Sequence, residues 1–310
     1  MPTAKLIIRA AGLVMRGRRA DPTSDYDLAS QGYDDFFSSV MGVHGTRALE
    51  EVSIRPGDAV VELACGTGHL TGGIAERLAG QGSIRAVDMS SGMLSVARKR
   101  MQAFAGLDVS IEQGDMLRFI ESQPDASADV VVCGWAICYT RPARLLKQIA
   151  RVLRPGGQVL IIETRADALV TLRKALEAVL ARDPSMMTRM VHVSLPKGPQ
   201  VLGKWFQQSG LAPLVLREGE QVLPWRTAEE AVEWVERSGA AAGFRDAVDT
   251  SRHSEVRDLL QAELAARLAA DPALRFRHTY VVGAARRSAA GAGAAQTRSP
   301  AGTDDPGVSA

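Results

Sequence analysis

The sequence predicts an α/β fold, a doubly wound and mostly parallel sheet with a helical lid. Between residues 57 and 164, short apolar runs alternate with segments of helical periodicity. The runs lack polar alternation, which is typical of parallel strands that helices cover on both faces. A glycine-rich turn joins the first run to the helix after it. Because crossovers between parallel strands are right-handed, these units wind into a doubly wound sheet.

Seven strands and seven helices account for the clearest patterns. The predicted strands are 58–63, 83–88, 108–113, 129–133, 158–163, 214–217 and 276–284. The predicted helices are 68–79, 91–102, 144–153, 166–182, 203–209, 227–237 and 255–270. The helix at 227–237 begins with Thr-Ala-Glu-Glu, a cap followed by acidic first-turn residues.

The chain divides into three predicted parts. Residues 1–50 form an N-terminal helical cap, and residues 51–287 form the main domain with a lid insertion at about 224–275. Residues 288–310 consist of small and polar residues with almost no large apolar side chain. Such a segment buries too little surface to order itself, so we expect a disordered tail.

The charge balance argues against nucleic acid as a partner. There are 37 Lys and Arg against 35 Asp and Glu, a formal charge of +2, whereas phosphate-backbone affinity comes from clustered cations. Three scattered cysteines, Cys65, Cys133 and Cys138, do not resemble a disulfide framework or a metal site. We therefore predict free thiols, no metal and a cytoplasmic location.

The N-terminal stretch leaves two interpretations open. No run of eighteen apolar residues occurs, and Arg9 interrupts the apolar centre that a signal peptide needs. On a helix, Leu6, Ala10 and Leu13 share a face flanked by basic side chains. This pattern predicts either peripheral membrane contact or a helix packed on the domain.

The sharpest motif is Val-Val-Glu-Leu-Ala-Cys-Gly-Thr-Gly at 60–68, between a strand and a helix. Gly66 and Gly68 permit a tight turn and close approach of a ligand, and Asp88 ends the next strand, where a carboxylate binds ribose hydroxyls. A dinucleotide fingerprint requires a third glycine, where this chain has Thr71. Glu62 would repel a pyrophosphate but suits a ligand that carries an ammonium group.

Four motifs together resemble those of the class I methyltransferases that use S-adenosylmethionine (SAM). The similarity is strongest to the small-molecule branch that includes the ubiquinone/menaquinone C-methyltransferases, and to methyltransferases of types 11 and 25. The motifs are 60–68, Ala-Val-Asp-Met-Ser at 86–90, Gln-Gly-Asp-Met at 113–116 and Leu-Arg-Pro-Gly-Gly-Gln-Val-Leu-Ile-Ile-Glu at 153–163. The resemblance implies a Rossmann-like seven-stranded sheet with the last strand antiparallel, SAM as cofactor and methyl transfer as the reaction.

The resemblance also implies cofactor contacts for ten residues. Glu62, Ala64 and Gly66 would line the methionine end. Asp88 would bind the ribose, and Met89 would pack against the adenine. Gly134 and Trp135, which follow the fourth strand, would lie near the sulfur. Asp115 would accept from the adenine amino group. Considered one at a time, Asp88 and Asp115 are also compatible with a role as helix-capping residues. Met89, Met116 and Trp135 are also compatible with a role in core packing. The full set is Glu62, Ala64, Gly66, Gly68, Asp88, Met89, Asp115, Met116, Gly134 and Trp135.

A catalytic base is needed if the acceptor is a hydroxyl or an acidic carbon. We predict His192, in a variable segment that would form a substrate wall, and Tyr139, at the mouth of the site. His44, His69 and His278 are further candidates.

The acceptor is predicted to be small and apolar or aromatic, such as a quinone-like compound or a secondary metabolite, methylated on O, C or N. The segment after the fourth strand is Gly-Trp-Ala-Ile-Cys-Tyr. It lacks the motifs of the nucleic-acid methyltransferases that modify amino groups or the C5 atom of cytosine. Aromatic residues of 26–49 and 224–275, together with Met41, would form the pocket, namely Tyr33, Phe36, Phe37, Trp225, Trp234 and Phe244.

Several alternatives share these features. An enzyme of the same fold that binds SAM but does other chemistry, a cyclase or a decarboxylase, would carry the same cofactor motifs, as would a silent SAM-binding regulatory subunit. An oxidoreductase that uses NAD is disfavoured by Glu62 and Thr71. A homodimer is a further expectation that no motif decides.

Overall fold

The computed structural model describes residues 4–240 and 242–288. Ser288 is exposed, and the rest of the predicted tail, 289–310, lies outside the described residues. No helix in the described part of the chain has the length and apolar character needed to cross a membrane.

Seven strands form one sheet in the order β3-β2-β1-β4-β5-β7-β6. Strands β1 to β5 pair in parallel, and β7 runs antiparallel to both β5 and β6. The sheet confirms the predicted fold class, including the antiparallel last strand. The strands are β1 Ala59–Leu63, β2 Ser83–Asp88, β3 Asp108–Gln113, β4 Ala128–Gly134, β5 Leu153–Thr164, β6 Leu211–Val222 and β7 Arg277–Arg287.

Strand β6 is much longer than the predicted 214–217. It pairs with β7 along its length, from Leu211 opposite Arg287 to Val222 opposite Arg277. Its residues alternate between exposed and half-buried because β6 lies at the edge of the sheet. Edge strands carry charged residues that blunt further pairing, and such residues hide a strand from a search for apolar runs.

Twelve α-helices lie in the described residues. Seven correspond to the individually predicted helices, three lie within the predicted helical cap of 1–50, and two were not predicted. Asp115 caps α6, which the sequence reading missed because it has only seven residues. The predicted cap at Thr227 is confirmed, since its side chain and that of Glu230 form a capping box. The helices are α1 Ala4–Met15, α2 Thr23–Ala29, α3 Ser39–Ala48, α4 His69–Leu78, α5 Ser91–Met101, α6 Met116–Ser122, α7 Pro142–Val152, α8 Val170–Arg182, α9 Pro199–Gln208, α10 Ala228–Arg237, α11 Phe244–Ala247 and α12 His253–Ala270.

Successive residues of β1 pack into two different hydrophobic clusters. Val60 packs into a large apolar cluster with α4, α5 and the lid helices, whereas Val61 packs with α6, α7 and α9 on the opposite face. Both valines are almost fully buried. Strands buried on both faces require the unbroken apolar runs that the sequence shows.

Two aspartates fasten the N-terminal helices over the ends of the strands. Asp34 accepts hydrogen bonds from the Thr67 hydroxyl at 2.7 Å and from Arg100 at 2.5 Å. Asp27 accepts from the Ser90 hydroxyl at 2.5 Å and from the amide of Gly92 at 2.9 Å. The cap is therefore tied to the loops that follow β1 and β2.

The sheet has one topological switch point, between β1 and β4. The chain proceeds from β1 outward to β2 and β3, and from β4 outward to β5, so the loops after β1 and β4 diverge. In open α/β sheets, ligands bind in the crevice outside the carboxyl ends of the strands at this point.

Candidate functional site

The loop after β1 turns through three left-handed residues, Ala64, Gly66 and Gly68, at φ of 56°, 56° and 76°. Glycine adopts this region freely, whereas an L-residue pays roughly 1–2 kcal/mol, so the conformation of Ala64 must be enforced by its surroundings. A Cβ on Gly68 would lie 3.2 Å from the Cα of Ala97, so this glycine also permits close packing of α4 on α5.

Asp88, the last residue of β2, holds that loop in place. Its Oδ2 accepts from the amide of Gly66 and its Oδ1 from the amide of Ser90, both at 2.9 Å. Burial raises the pKa of Asp88 above its usual value. Each carboxylate oxygen can accept a second hydrogen bond, so Asp88 retains acceptor capacity for a ligand.

A pocket of about 100 Å³, the strand-end pocket, opens beside Asp88. It also contains Ser90, Met93 and Tyr33. The structure brings eight of the predicted site residues to its wall: Ala64, Gly66, Asp88, Met89, Met116, Gly134, Trp135 and Tyr139.

A smaller space of about 60 Å³, the inner pocket, lies behind the glycine loop and shares Ala64, Gly66 and Trp135 with the strand-end pocket. Glu62 lines it and is 2% exposed. Its Oε2 and the Thr71 hydroxyl are both buried, and Thr71 lies close enough to oppose the effect of burial, which raises the pKa of Glu62 to about 8. A buried carboxyl that no cation accompanies is costly to ionise, so Glu62 suits a ligand that carries a positive charge.

Three predicted residues do not line either pocket. Gly68 precedes α4 and acts through its backbone, as described above. Asp115 caps α6, accepting from the amide of Arg118 at 2.9 Å, while its neighbours Gly114 and Met116 reach the strand-end pocket. His192 is exposed and points away from the cavity wall that the residues on either side of it form.

A third space of about 260 Å³, the lid cavity, lies under the lid. Its wall is mostly apolar, with Leu172 and Leu176 of α8 on one side and Val191 and Val193 on another. Arg173 contributes to the exposed rim. Apolar walls with a few polar groups are typical of pockets for small molecules.

Four aromatic side chains line both the strand-end pocket and the lid cavity, namely Tyr26, Tyr33, Trp135 and Tyr139. The hydroxyls of Tyr26 and Tyr139 are 3.0 Å apart and hydrogen-bonded. Trp135 has a left-handed backbone, φ 59°, fixed by its amide donating to Ile162 at 2.7 Å. The two spaces therefore meet at an aromatic wall whose ring faces are suited to a cation.

Glu163 is a polar residue of the lid cavity that was not predicted from the sequence. It follows the apolar run of β5, is 1% exposed and lines the cavity. Burial raises the pKa of Glu163 to about 7. One signal was available, since a single acid ends an otherwise apolar strand at the same edge of the sheet as Asp88.

Two of the candidate histidines are held by local partners. His44 lies between the Tyr280 hydroxyl, at 2.9 Å, and Gln221, at 2.8 Å. His69 contacts the Thr46 hydroxyl at 3.2 Å.

His278 lines the lid cavity, with its Nε2 3.0 Å from the Thr164 hydroxyl. Burial lowers the pKa of His278 to about 4, so the ring is neutral near pH 7.

The predicted aromatic pocket residues divide between cavity and core. Tyr33, Phe37 and Phe244 line the lid cavity. Trp225 and Trp234 instead pack against each other in the core, with ring centroids 4.8 Å apart and the ring planes at 53°. Met41 is fully buried, and Phe36 lies under the guanidinium of Arg237 at 4.1 Å.

The site concentrates buried acids. Glu62, Asp88 and Glu163 have raised pKa values because of burial, and none of them forms a salt bridge within the described ranges. Buried carboxyls without cationic partners favour a positively charged ligand, which would lower the cost of their ionisation.

Part of the chain is similar to known methyltransferases. Residues 60–157 match a family model described as a methyltransferase domain. The chain is 37% identical over 117 residues to a demethylmenaquinone methyltransferase of Symbiobacterium thermophilum, covering 37% of this chain and 46% of the relative. It is 31% identical over 161 residues to a ubiquinone/menaquinone biosynthesis C-methyltransferase of Hydrogenovibrio crunogenus, covering 49% and 61%. The chain thus spans about half the length of these relatives.

The fold is also shared with solved structures. Haemonchus contortus phosphoethanolamine N-methyltransferase 2, solved with phosphomonomethylethanolamine and S-adenosylhomocysteine, superposes with a TM-score of 0.51 at 19% identity. The similarity covers 84% of this chain and 57% of that one. At this identity the comparison supports the fold alone.

Proposed function

We propose that the chain is a class I methyltransferase that binds SAM and transfers its methyl group to a small apolar or aromatic acceptor, since residues 60–157 match a methyltransferase domain. The strand-end and inner pockets would hold the cofactor, and the lid cavity the acceptor. The 1–50 cap and the 224–275 lid insertion would enclose the two.

The observation that carries the proposal is the buried Glu62 carboxyl, which lines the inner pocket and forms no salt bridge within the described residues. SAM bears an ammonium group, which would pair with that carboxylate and compensate its burial. A pyrophosphate at the same place would meet a carboxyl group, so the geometry favours SAM over NAD.

The remaining cofactor contacts follow from the strand-end pocket. Asp88 keeps acceptor capacity for ribose hydroxyls, and Met89 and Met116 offer apolar surfaces for the adenine. Gly134 leaves room at the end of β4, where a Cβ would lie 2.6 Å from Cδ1 of Leu70. Bound SAM would supply an electrophilic methyl group at the aromatic wall between pocket and cavity.

The residues of the chain would act mainly by alignment. Holding acceptor and methyl group in line removes the entropy of their encounter, an effect worth roughly 7–11 kcal/mol in favourable cases. The lid walls would exclude water, and the Tyr139 hydroxyl would orient the acceptor. Quinone-like compounds fit the apolar walls, and the curated relatives carry such acceptors in their names.

Calorimetric titration with SAM tests the cofactor assignment. We expect micromolar affinity for the wild type and a loss of about 10-fold or more for Asp88→Ala, since that side chain also holds the Gly66 loop. Asp108→Ala, which removes an exposed carboxylate from β3, is the matched control and should retain the wild-type affinity. Binding of NAD in preference to SAM would refute the proposal.

An acceptor screen tests the reaction itself. Quinols, phenols and apolar amines are incubated with SAM, and methylated products are sought by mass spectrometry. Methylated product together with S-adenosylhomocysteine is expected. Cofactor breakdown to other products, with no methyl transfer, would instead identify a cyclase or decarboxylase on the same scaffold.

We further propose that α1 contacts an anionic membrane surface. Leu6 and Leu13 are buried, but Ile8 is 71% and Met15 82% exposed, and several basic side chains nearby are exposed too. Arg9 donates to the carbonyl of Met187 at 2.9 Å, just before the segment that lines the lid cavity. An apolar acceptor would thus enter close to the lipid.

Vesicle sedimentation tests this contact. Binding to vesicles that contain phosphatidylglycerol, weakened by salt and by Ile8→Asp, is expected. Val222→Asp, an exposed apolar site on β6, is the control. Equal recovery with and without vesicles would reject the contact. A cytoplasmic location and a homodimer both remain predictions. Light scattering would measure the oligomeric state.

A further inference from the structure

The lid cavity has one polar end. Its apolar walls converge on Glu163 and Thr164 at the carboxyl end of β5 and on His278 of β7. This end lies beside β4, because Gly134 pairs with Ile162 in the sheet. The polar end is therefore next to Trp135, where cavity and strand-end pocket meet.

Glu163 is fixed there by its own backbone surroundings. Its Oε2 accepts from the amide of Cys138 at 3.0 Å and its Oε1 from the amide of Thr164 at 2.7 Å. The Cys138 thiol also hydrogen-bonds to this carboxylate, so three of its four acceptor positions are used and one stays free. Since the side chain is 1% exposed and lines the cavity, a molecule in the cavity is what can use that capacity.

The other titratable groups at this end stay neutral near pH 7. Burial raises the pKa of the Cys138 thiol and of the Tyr26, Tyr33 and Tyr139 phenols well above their usual values, so all four keep their protons. Their protonated forms cannot take a proton from an acceptor.

Two further groups complete the surroundings of Glu163. His278 is neutral but so weakly basic that it would hold a proton poorly. Arg173, the basic residue of the cavity wall, is exposed at the rim. Glu163 is the proton acceptor of this cavity whose pKa, about 7, matches neutral conditions.

We propose that Glu163 is the catalytic base of the acceptor site and that the acceptors are phenols or enols. This inference rests on the proposed function. The Glu163 carboxylate takes the hydroxyl proton, the oxygen or its conjugated carbon forms the new bond to the methyl carbon, and the carbon–sulfur bond breaks with its electron pair going to sulfur. The products are the methylated acceptor, S-adenosylhomocysteine and a protonated Glu163. When carbon is the nucleophile, its own proton leaves in a later step.

The chemistry of the cavity favours a hydroxyl over other acceptors. A neutral amine is already nucleophilic, so it gains little from a buried base before methyl transfer. A carboxylate or phosphate acceptor would face the Glu163 carboxylate, with a guanidinium only at the rim. A phenol or enol donates to Glu163 and becomes more nucleophilic as its proton is withdrawn.

The test compares 2-naphthol with 2-methoxynaphthalene, which has the same ring but no hydroxyl proton. Binding of each to the full chain, loaded with S-adenosylhomocysteine, is measured by calorimetry at pH 6 and pH 8. We expect at least a 10-fold preference for 2-naphthol at pH 8 and a smaller one at pH 6, where Glu163 is largely protonated.

Glu163→Gln is expected to reduce that preference to about threefold or less and to abolish its pH dependence. Glu233→Gln, at a half-exposed position of α10, is the matched control and should behave as the wild type. If the naphthol is turned over, Glu163→Gln should lower kcat at least 100-fold, and wild-type kcat/KM should rise with pH through about 7.

The two proposals fail differently. Loss of SAM binding by the wild type refutes the proposed function. Intact SAM binding with equal affinity for the two naphthalenes, no naphthol binding, or an unchanged preference in Glu163→Gln refutes the role of Glu163 alone. If the variant does not fold, the wild-type comparison decides, because a preference that does not change between pH 6 and pH 8 contradicts an ionising carboxylate.

Discussion

The strand-end pocket and the lid cavity differ in how they are built. The strand-end pocket is formed by short loops at the carboxyl ends of β1 to β4 and is covered by Tyr26 and Tyr33 of the N-terminal cap. The lid cavity is assembled from α8, the 191–195 segment, α10 and β7, which are far apart in the chain. In the proposed function, the ends of the sheet would hold the cofactor, while the helical lid would shape the space for the acceptor.

The same contrast appears in the two buried glutamates. No backbone amide donates to Glu62 in the described structure, whereas each oxygen of Glu163 already accepts from a backbone amide. A carboxyl that no backbone amide stabilises suits pairing with a cationic ligand, and a partnered one suits the transient binding of a proton. The difference teaches that burial alone does not assign a role to an acid.

Exchanging Glu62 for glutamine gives the largest expected effect on SAM binding. Glu62→Gln keeps the shape of the side chain but removes the charge that would pair with an ammonium group. We expect SAM affinity to fall by about 10- to 100-fold, since a hydrogen bond to a charged group contributes about 1.5–3 kcal/mol. Calorimetry measures the change.

Glu163→Gln is the matched control for that experiment. Its side chain lines the lid cavity and not the pockets proposed for the cofactor, so SAM affinity should stay within about twofold of the wild type. A loss of SAM affinity equal to that of Glu62→Gln would mean that the two spaces do not divide the substrates as proposed.

The pH dependence of SAM binding gives the next largest effect. The pKa of Glu62 is about 8, so in the free protein it is about nine-tenths protonated at pH 7. Pairing with an ammonium group requires the charged form, so binding should release close to one proton. Affinity should rise by roughly tenfold from pH 6 to pH 7, and flatten near pH 8 as the SAM amine loses its own proton.

Calorimetry in two buffers of different ionisation enthalpy counts the released proton. Glu62→Gln should release none and should show little change of affinity over the same pH range. Proton uptake by the wild type would contradict the assignment of Glu62 to the ammonium end.

The way the strand-end pocket and the lid cavity are built explains how much of each could be predicted from the sequence. Much of the sheet side of the strand-end pocket could be predicted because a loop between two regular elements needs particular residue types, such as Gly66 at φ 56°, whereas Tyr26 of the cap was not predicted to line it. The lid cavity was foreseen only as an aromatic region. Phe37 and Trp225 look alike in the sequence, but one lines the cavity and the other packs in the core.

Long-range packing also explains why the sequence did not show which candidate bases face the lid cavity. His192 and Val193 are neighbours, yet only the valine faces the lid cavity, because the segment is extended and successive side chains point in opposite directions. Glu163 ends an apolar strand, and its location under a lid depends on helices that follow much later in the chain. Neither orientation can be read from local periodicity.

Tyr139→Phe gives the smallest expected effect and separates two roles for the aromatic wall. The phenol keeps its proton because burial raises the pKa of Tyr139, so it can orient an acceptor but not act as a base. Removing the hydroxyl breaks the hydrogen bond to Tyr26, worth about 1 kcal/mol, and should lower Tm by about 2–4 °C. With an acceptor from the screen, kcat/KM should stay within about tenfold of the wild type. A loss of 100-fold or more, with SAM affinity unchanged, would instead make Tyr139 the base that its position after β4 first suggested, and would move proton transfer from Glu163 to the aromatic wall.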